Sequence, residues 1–138
     1  MISFYIFVSI MKTALNRNIE ISVKPRFEET KSSWINSSFI HSYEIGIKNL
    51  NHFPVKLLER CWYIFDSTEG NYTVFGEGVI GKKPVIEHSE TYTYSSYCEL
   101  THTIGRMHGF FNLRNEITGE ILKVSIPSFN LEVPLCLN

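Results

Sequence analysis

Apolar and polar residues alternate with a period of two along most of the chain, which is the pattern of half-buried β-strands. One run places Ile19, Ile21 and Val23 on one side, with polar residues between them. No stretch keeps the 3.6-residue period of an amphipathic helix. Seven or eight short strands in about 120 residues favour a sandwich of two sheets. The other runs lie at 39–48, 55–65, 72–75, 91–97, 106–113, 122–126 and 129–133.

Breaks in this alternation mark bulges, turns and loops. The pair Leu57-Leu58 interrupts the run at 55–65, which predicts a bulge or a strand that is covered on both faces. Gly70 and Gly119 stand in Glu-Gly-Asn and Thr-Gly-Glu segments, which predict hairpin turns. Residues 27–38 lack a period, so we expect a solvated loop there.

The first ten residues are nearly all apolar. This run is shorter than the roughly 20 residues that a membrane-spanning helix needs, and no basic residue precedes it as in a signal peptide. We therefore expect residues 1–17 to form an N-terminal extension, with Met11 as an alternative start, and residues 18–138 to form the folded domain. We expect no association with a membrane.

Composition narrows the class of protein. The 138 residues carry a net charge of −1, without the basic excess that a nucleic-acid binder usually has. Three cysteines without a C-x-x-C pair indicate free thiols in a reducing compartment. Cys61 adjoins Trp62 on one predicted strand, unlike the Cys…Trp…Cys order of antibody domains. The prediction is an all-β, immunoglobulin-like or fibronectin-III-like sandwich without a disulfide.

One segment matches a nucleotide-binding motif. Residues 76–81 read Gly-Glu-Gly-Val-Ile-Gly, the G-x-G-x-x-G pattern, which holds a pyrophosphate only where a helix follows. Here Pro84 follows closely and no helical face appears, so we expect an architectural loop with close backbones or positive φ angles. The alternative is a small-anion or phosphometabolite site formed by Gly76, Glu77, Gly78, Gly81, Lys82 and Lys83.

The sequence gives little sign of catalysis or metal binding. It has no nucleophile elbow and no H-E-x-x-H motif. His102 and His108 lie six residues apart and could converge only across a tight turn. We therefore expect a protein without catalytic residues, cofactor or metal ligands, and keep divalent-metal binding as a further alternative.

Four ordered segments resemble the ApaG family: residues 55–62, 76–84, 101–109 and 126–131. The resemblance extends over about 19–135, which is essentially the whole predicted domain. Two segments depart from the family pattern. His88-Ser89 replaces the usual Pro-Gly, and His102 replaces a proline, so only local turn geometry is affected.

The resemblance implies a fibronectin-III-like sandwich in a small cytoplasmic bacterial protein. The family name is tied to cobalt resistance and magnesium efflux, and related eukaryotic domains look like protein-binding modules. It supplies no catalytic motif. We therefore predict a non-enzymatic cytoplasmic module that recognises a protein partner, with an indirect link to cobalt and magnesium homeostasis. A weak homodimer is kept as a further alternative.

Candidate contact residues follow from this prediction. Phe110 is an aromatic residue on a strand face that also carries Arg106 and His108, which is the composition of a contact patch. Arg60 and Trp62 are further candidates on the long strand at 55–65, although a buried aromatic anchor is the favoured role for Trp62.

Overall fold

The computed structural model describes residues 4–5, 11–134 and 136–137. A short 3-10 helix, Glu29–Lys31, lies between the third and fourth strands. No helix in these ranges is long and apolar enough to cross a membrane. The strands in this part of the chain are β1 (Phe4–Tyr5), β2 (Lys12–Asn16), β3 (Ile19–Phe27), β4 (Phe39–Asn49), β5 (Val55–Asp66), β6 (Gly70–Glu77), β7 (Val85–Ile86), β8 (Thr91–Leu100), β9 (Ile104–Asn115), β10 (Ile121–Glu132) and β11 (Cys136–Leu137).

The long strands form two antiparallel sheets. One sheet has the order β2-β3-β4-β8, and the other has the order β10-β9-β5-β6 with β7 also paired to β5. The inner faces of the two sheets enclose the core, so the predicted β-sandwich is confirmed. Cys61 and Cys98 are buried free thiols, so neither links the sheets through a disulfide.

The core follows the predicted alternation. On β3, Ile19, Ile21 and Val23 are fully buried between the sheets. On the paired strands every second side chain also faces the core, because successive side chains of a strand lie on opposite faces of the sheet. These further core residues include Tyr43, Ile45, Ile47, Trp62, Ile64, Met107, Phe111, Leu113, Leu122, Val124, Phe129 and Leu131.

Two bulges and two turns shape the five-stranded sheet. The register of β5 on β9 shifts between Leu57 and Glu59, where a bulge was predicted. A second shift lies between Ile126 and Phe129, and it joins the two predicted runs at 122–126 and 129–133 into the single strand β10. The hairpin glycines Gly70 and Gly119 have φ angles of 85° and 79°, as these turns require.

The start of the sandwich differs from the sequence prediction. Lys12–Asn16 was expected to belong to an extension that ends at residue 17, but it forms strand β2 and pairs along β3. Its side chains are almost all exposed, so its sequence carries no alternation of buried and exposed positions. Phe4–Tyr5 of the apolar leader pairs with Cys136–Leu137, while the rest of residues 1–10 lies outside the described residues.

The two long sides of the sandwich differ. On one side β10 lies close to β2 and β3 of the other sheet. On the other side β6 and β8 are the edge strands of their sheets. Tyr72 and Val74 of β6 share the inner side of their sheet with Trp62 and Ile64, yet each is 39% exposed. The sandwich is therefore open between β6 and β8, and we call this opening the inter-sheet mouth.

Candidate functional site

The outer side of the five-stranded sheet carries a cluster of rings, which we call the aromatic face. The register places Cys61 opposite Phe75 on one side and opposite Phe110 on the other. Tyr63 lies opposite His108 one step along. Strands β6, β5 and β9 therefore present adjacent rings on one surface. The aromatic face consists of Tyr63, Phe65, Phe75, His108 and Phe110.

The Tyr63 ring contacts those of His108 and Phe110, and the aromatic residues of the face remain open to solvent. The Tyr63 ring centroid lies 5.1 Å from that of His108 and 6.3 Å from that of Phe110. Phe75 is 59% exposed, Tyr63 39% and Phe65 37%. The residue at the centre, Cys61, is only 4% exposed. The face is thus a largely apolar layer on the outside of the sheet.

Cationic side chains border this layer. Arg106 lies opposite Phe65 in the β5–β9 register. The Lys123 ammonium sits 4.1 Å from the centroid of the Phe110 ring, which is a cation–π contact. Neither cation belongs to an ion pair within the described part of the chain. At the far end of the face, the Asn112 amide donates a hydrogen bond to the Glu59 carboxylate at 3.0 Å.

Two of the five predicted contact residues, His108 and Phe110, belong to this face, and a third, Arg106, borders it. Sequence reasoning missed the other members, Tyr63, Phe65 and Phe75. A signal for two of them was present, because 61–65 is apolar at every position, whereas a strand with one solvated side alternates.

Trp62 is a core residue and does not contact the outer surface. It is 2% exposed, and its ring packs edge-on against Tyr43 and Phe129 at 5.3 and 5.9 Å. As its neighbour Tyr63 faces outward, strand alternation turns Trp62 inward. The candidate role of Trp62 as a surface contact is therefore replaced by that of an aromatic anchor between the sheets.

Arg60 also lies on the inner side of the sheet, in register with Gly76 and Phe111. Its Nη1 donates to the carbonyl oxygens of Glu77 at 3.2 Å and Gly78 at 2.8 Å. Arg60 therefore holds the strand end after β6 and does not belong to the aromatic face.

The glycine loop, residues 76–83, passes the bulge of β5. Gly78 N–H donates to the Leu58 carbonyl at 2.8 Å, and Val79 and Lys82 exchange two backbone hydrogen bonds. The φ angles of Gly78, Ile80 and Gly81 are all positive, between 48° and 72°. The predicted architectural loop has this geometry. The amides of Gly78, Val79 and Lys82 are already bonded to carbonyl groups, so they do not form an empty phosphate cradle.

The charged residues proposed for the anion alternative are paired with one another or exposed to solvent. Lys83 lies 3.4 Å from the Glu77 carboxylate, and both side chains are largely exposed. Lys82 is exposed beside them. An exposed ion pair of this kind contributes little to binding or stability.

His102 and His108, the pair considered from the sequence, have different surroundings in the described part of the chain. His102 is exposed in the loop before β9, whereas the His108 ring packs at a tilt against Tyr63. His52 and His88 stack at 4.4 Å, and Nδ1 of His88 is bound to the Asn51 carbonyl. In the described residues no three His, Cys, Asp or Glu side chains are grouped so that they could hold a metal ion.

Comparison with known proteins places the chain in a family. The ApaG domain model matches residues 29–115. Protein ApaG of Agrobacterium fabrum is 36% identical, and that of Sinorhizobium fredii 38%, each over 90% of this chain and 95% of the relative. The crystal structure of an ApaA protein from Bordetella pertussis is similar to this chain, with a TM-score of 0.80 and 32% sequence identity. The match covers 84% of this chain and 94% of the Bordetella chain. The chain therefore belongs to the ApaG domain family.

Proposed function

We propose that this protein is a non-enzymatic binding module, acting in the cytoplasm, that recognises a protein partner through the aromatic face. The observation that carries the proposal is the cluster of rings on the outside of a sheet whose inner side already supplies the core. Contiguous exposed apolar patches of this kind mark interaction sites. Aromatic and arginine side chains are also the residues that dominate binding energy at protein interfaces.

The rings of the aromatic face favour binding because they are partly exposed to water until a partner covers them. Phe75, Tyr63 and Phe65 stay partly in water, and covering each would contribute roughly 1–2 kcal/mol from apolar area alone. They stand on paired strands, so little conformational entropy is lost when a partner covers them. A rigid sheet surface suits a partner that is itself preformed.

The charges on the face define the partner further. Arg106 and Lys123 border the rings without an acidic neighbour in the described ion pairs. A partner surface that combines apolar side chains with Asp or Glu would complement both features. Such complementarity sets orientation and speeds association more than it adds affinity.

The link of the family name to cobalt and magnesium then belongs to the partner. The described part of the chain groups no set of metal ligands, which supports an indirect connection. In this proposal the module acts on metal homeostasis by binding a protein that senses or moves the ions.

The test is quantitative affinity capture with a matched pair of variants. Phe75→Thr removes a 59% exposed ring from edge strand β6, and Tyr97→Thr removes a 57% exposed ring from edge strand β8 on the other sheet. Both changes keep a residue that favours strands, so both variants should fold. We expect a captured protein to be retained by the parent and by Tyr97→Thr, and to fall at least about tenfold with Phe75→Thr.

A third variant tests the charge argument. Arg106→Glu should reduce capture of the same protein, because it sets a like charge against an acidic partner. Equal capture by all four proteins, or capture that depends on Tyr97 instead, would contradict the aromatic face as the binding site.

A further inference from the structure

The glycine loop fixes the position of the Arg60 side chain. The Arg60 guanidinium lies flat against Gly76, where an added Cβ would stand 2.7 Å from Nη1 and 3.0 Å from Cζ. Any larger residue at position 76 would displace the guanidinium. Together with the two hydrogen bonds from Nη1 to the carbonyls of Glu77 and Gly78, this contact fixes Arg60 at the inter-sheet mouth.

The charge of Arg60 has no carboxylate partner in the described part of the chain. Arg60 is half-buried, and within the described part of the chain its hydrogen bonds come from Nη1 alone. A guanidinium carries five N–H donors, so Nε and Nη2 still have donors to offer. Partly buried cations are normally compensated by an anion, which gives this position a reason to attract one.

A second donor without an acceptor lies on the facing sheet. Tyr94 of β8 is 8% exposed, and its hydroxyl has no hydrogen-bond partner among the described residues. The Tyr94 ring contacts Phe111 at 6.5 Å between centroids, and Phe111 is the register neighbour of Arg60 on β9. The backbone of Arg60 and the ring of Tyr94 thus neighbour the same core residue, each from its own sheet.

Electrostatics agrees with this proximity. Burial raises the pKa of Tyr94 well above its ordinary value, and the positive charge of Arg60 acts in the opposite direction. The same two influences act on the pKa of Tyr43, where burial is again the larger. Burial raises the pKa of the Cys98 thiol to about 11, and the Tyr72 hydroxyl lowers it in part.

We propose that the inter-sheet mouth binds an oxyanion, a phosphate or a carboxylate group, between the Arg60 guanidinium and the Tyr94 hydroxyl. Both groups are donors, and charge-assisted hydrogen bonds to an oxyanion would satisfy both. The glycine loop serves this site by positioning Arg60, while its own amides stay bonded within the fold. The site lies on the inner side of the sheet and is separate from the aromatic face.

In the test, inorganic phosphate and acetate are titrated separately into the full chain at constant ionic strength. The NMR signal of the Arg60 Nε–H group is recorded at each step. We expect one of the two anions to shift this signal saturably, and which one does so identifies the group that is bound. Tyr94→Phe should weaken that binding roughly tenfold, which is the effect of one hydrogen bond to a charged group. Arg60→Lys, which removes the planar fork, should weaken it at least as much.

Two controls keep the outcome decisive. Tyr94→Phe removes a hydroxyl that has no partner, so without anion this variant should be as stable as the parent or more stable. Lys82→Ser removes an exposed loop charge and should leave anion binding unchanged. The proposal fails if neither anion shifts the signal saturably at tens of millimolar, or if Lys82→Ser abolishes binding while Tyr94→Phe does not.

Discussion

Replacing Gly78 by alanine tests how far the glycine loop determines the fold. Gly78 has a φ of +61°, and an alanine Cβ there would overlap the carbonyl oxygen of Lys82, with the carbonyl carbon only 2.9 Å away. The left-handed conformation costs alanine about 1–2 kcal/mol. Moving the Lys82 carbonyl also weakens its hydrogen bond from Val79, by about 1 kcal/mol. The lower unfolded-state entropy of alanine offsets about 0.4–1 kcal/mol of this cost, so we expect a net loss of about 1–2.5 kcal/mol.

The matched control is Gly81→Ala in the same loop. Gly81 has a φ of +72°, but nothing lies within 4 Å of its added Cβ, so only the backbone penalty of about 1 kcal/mol remains. Urea unfolding of the parent and both variants measures the difference, provided that the m-value stays constant. Equal losses for the two variants, or a loss below about 1 kcal/mol for Gly78→Ala, would refute the steric argument.

Three further predictions concern the core, the pH dependence and metal binding. Burial lowers the pKa of His41 to about 4, so as the pH falls below 6.5 the unfolded chain binds the proton before the folded chain does. The free energy of unfolding should therefore fall by up to about 3 kcal/mol between pH 6.5 and pH 4. An unchanged pH dependence of denaturation in His41→Leu would contradict this. Trp62→Ala should cost about 3–5 kcal/mol by calorimetric unfolding, because it leaves a cavity between the sheets; a loss under about 1 kcal/mol would refute its role as an anchor. Calorimetric titration should detect no Co²⁺ site tighter than roughly micromolar; a stoichiometric sub-micromolar site that disappears in the His102→Ala, His108→Ala double variant would favour direct metal binding.

The sequence predicts the sandwich because the core-facing positions repeat with a period of two. Ile19, Ile21 and Val23 show this, as does the bulge at Leu57-Leu58, where the repeat breaks. Strand β2 escapes prediction because both of its faces are exposed, so no pattern separates it from a loop. The continuity of β10 is hidden for a related reason, since its bulge shifts the apolar positions by one residue between Ile126 and Phe129.

The candidate site is less accessible to sequence reasoning because it depends on pairing between distant strands. Arg106, His108 and Phe110 share a face of one strand, and the pattern reveals them. Phe75 joins them only through the register of β6 on β5, and Arg60 meets Gly76 through the same pairing. The polar character of Arg60 suggests a surface role, whereas strand alternation places it on the inner side.

The central claim is that a protein partner binds the aromatic face, and photo-cross-linking in the native cell tests it most directly. A benzophenone amino acid is placed at position 65 or 75 on this face, and at position 97 or 117 elsewhere, all of which are exposed. We predict that positions 65 and 75 cross-link to one and the same protein and that positions 97 and 117 do not. Cross-linking to that protein from 97 or 117 as strongly as from 65 and 75, or no specific product from 65 and 75, would contradict the account.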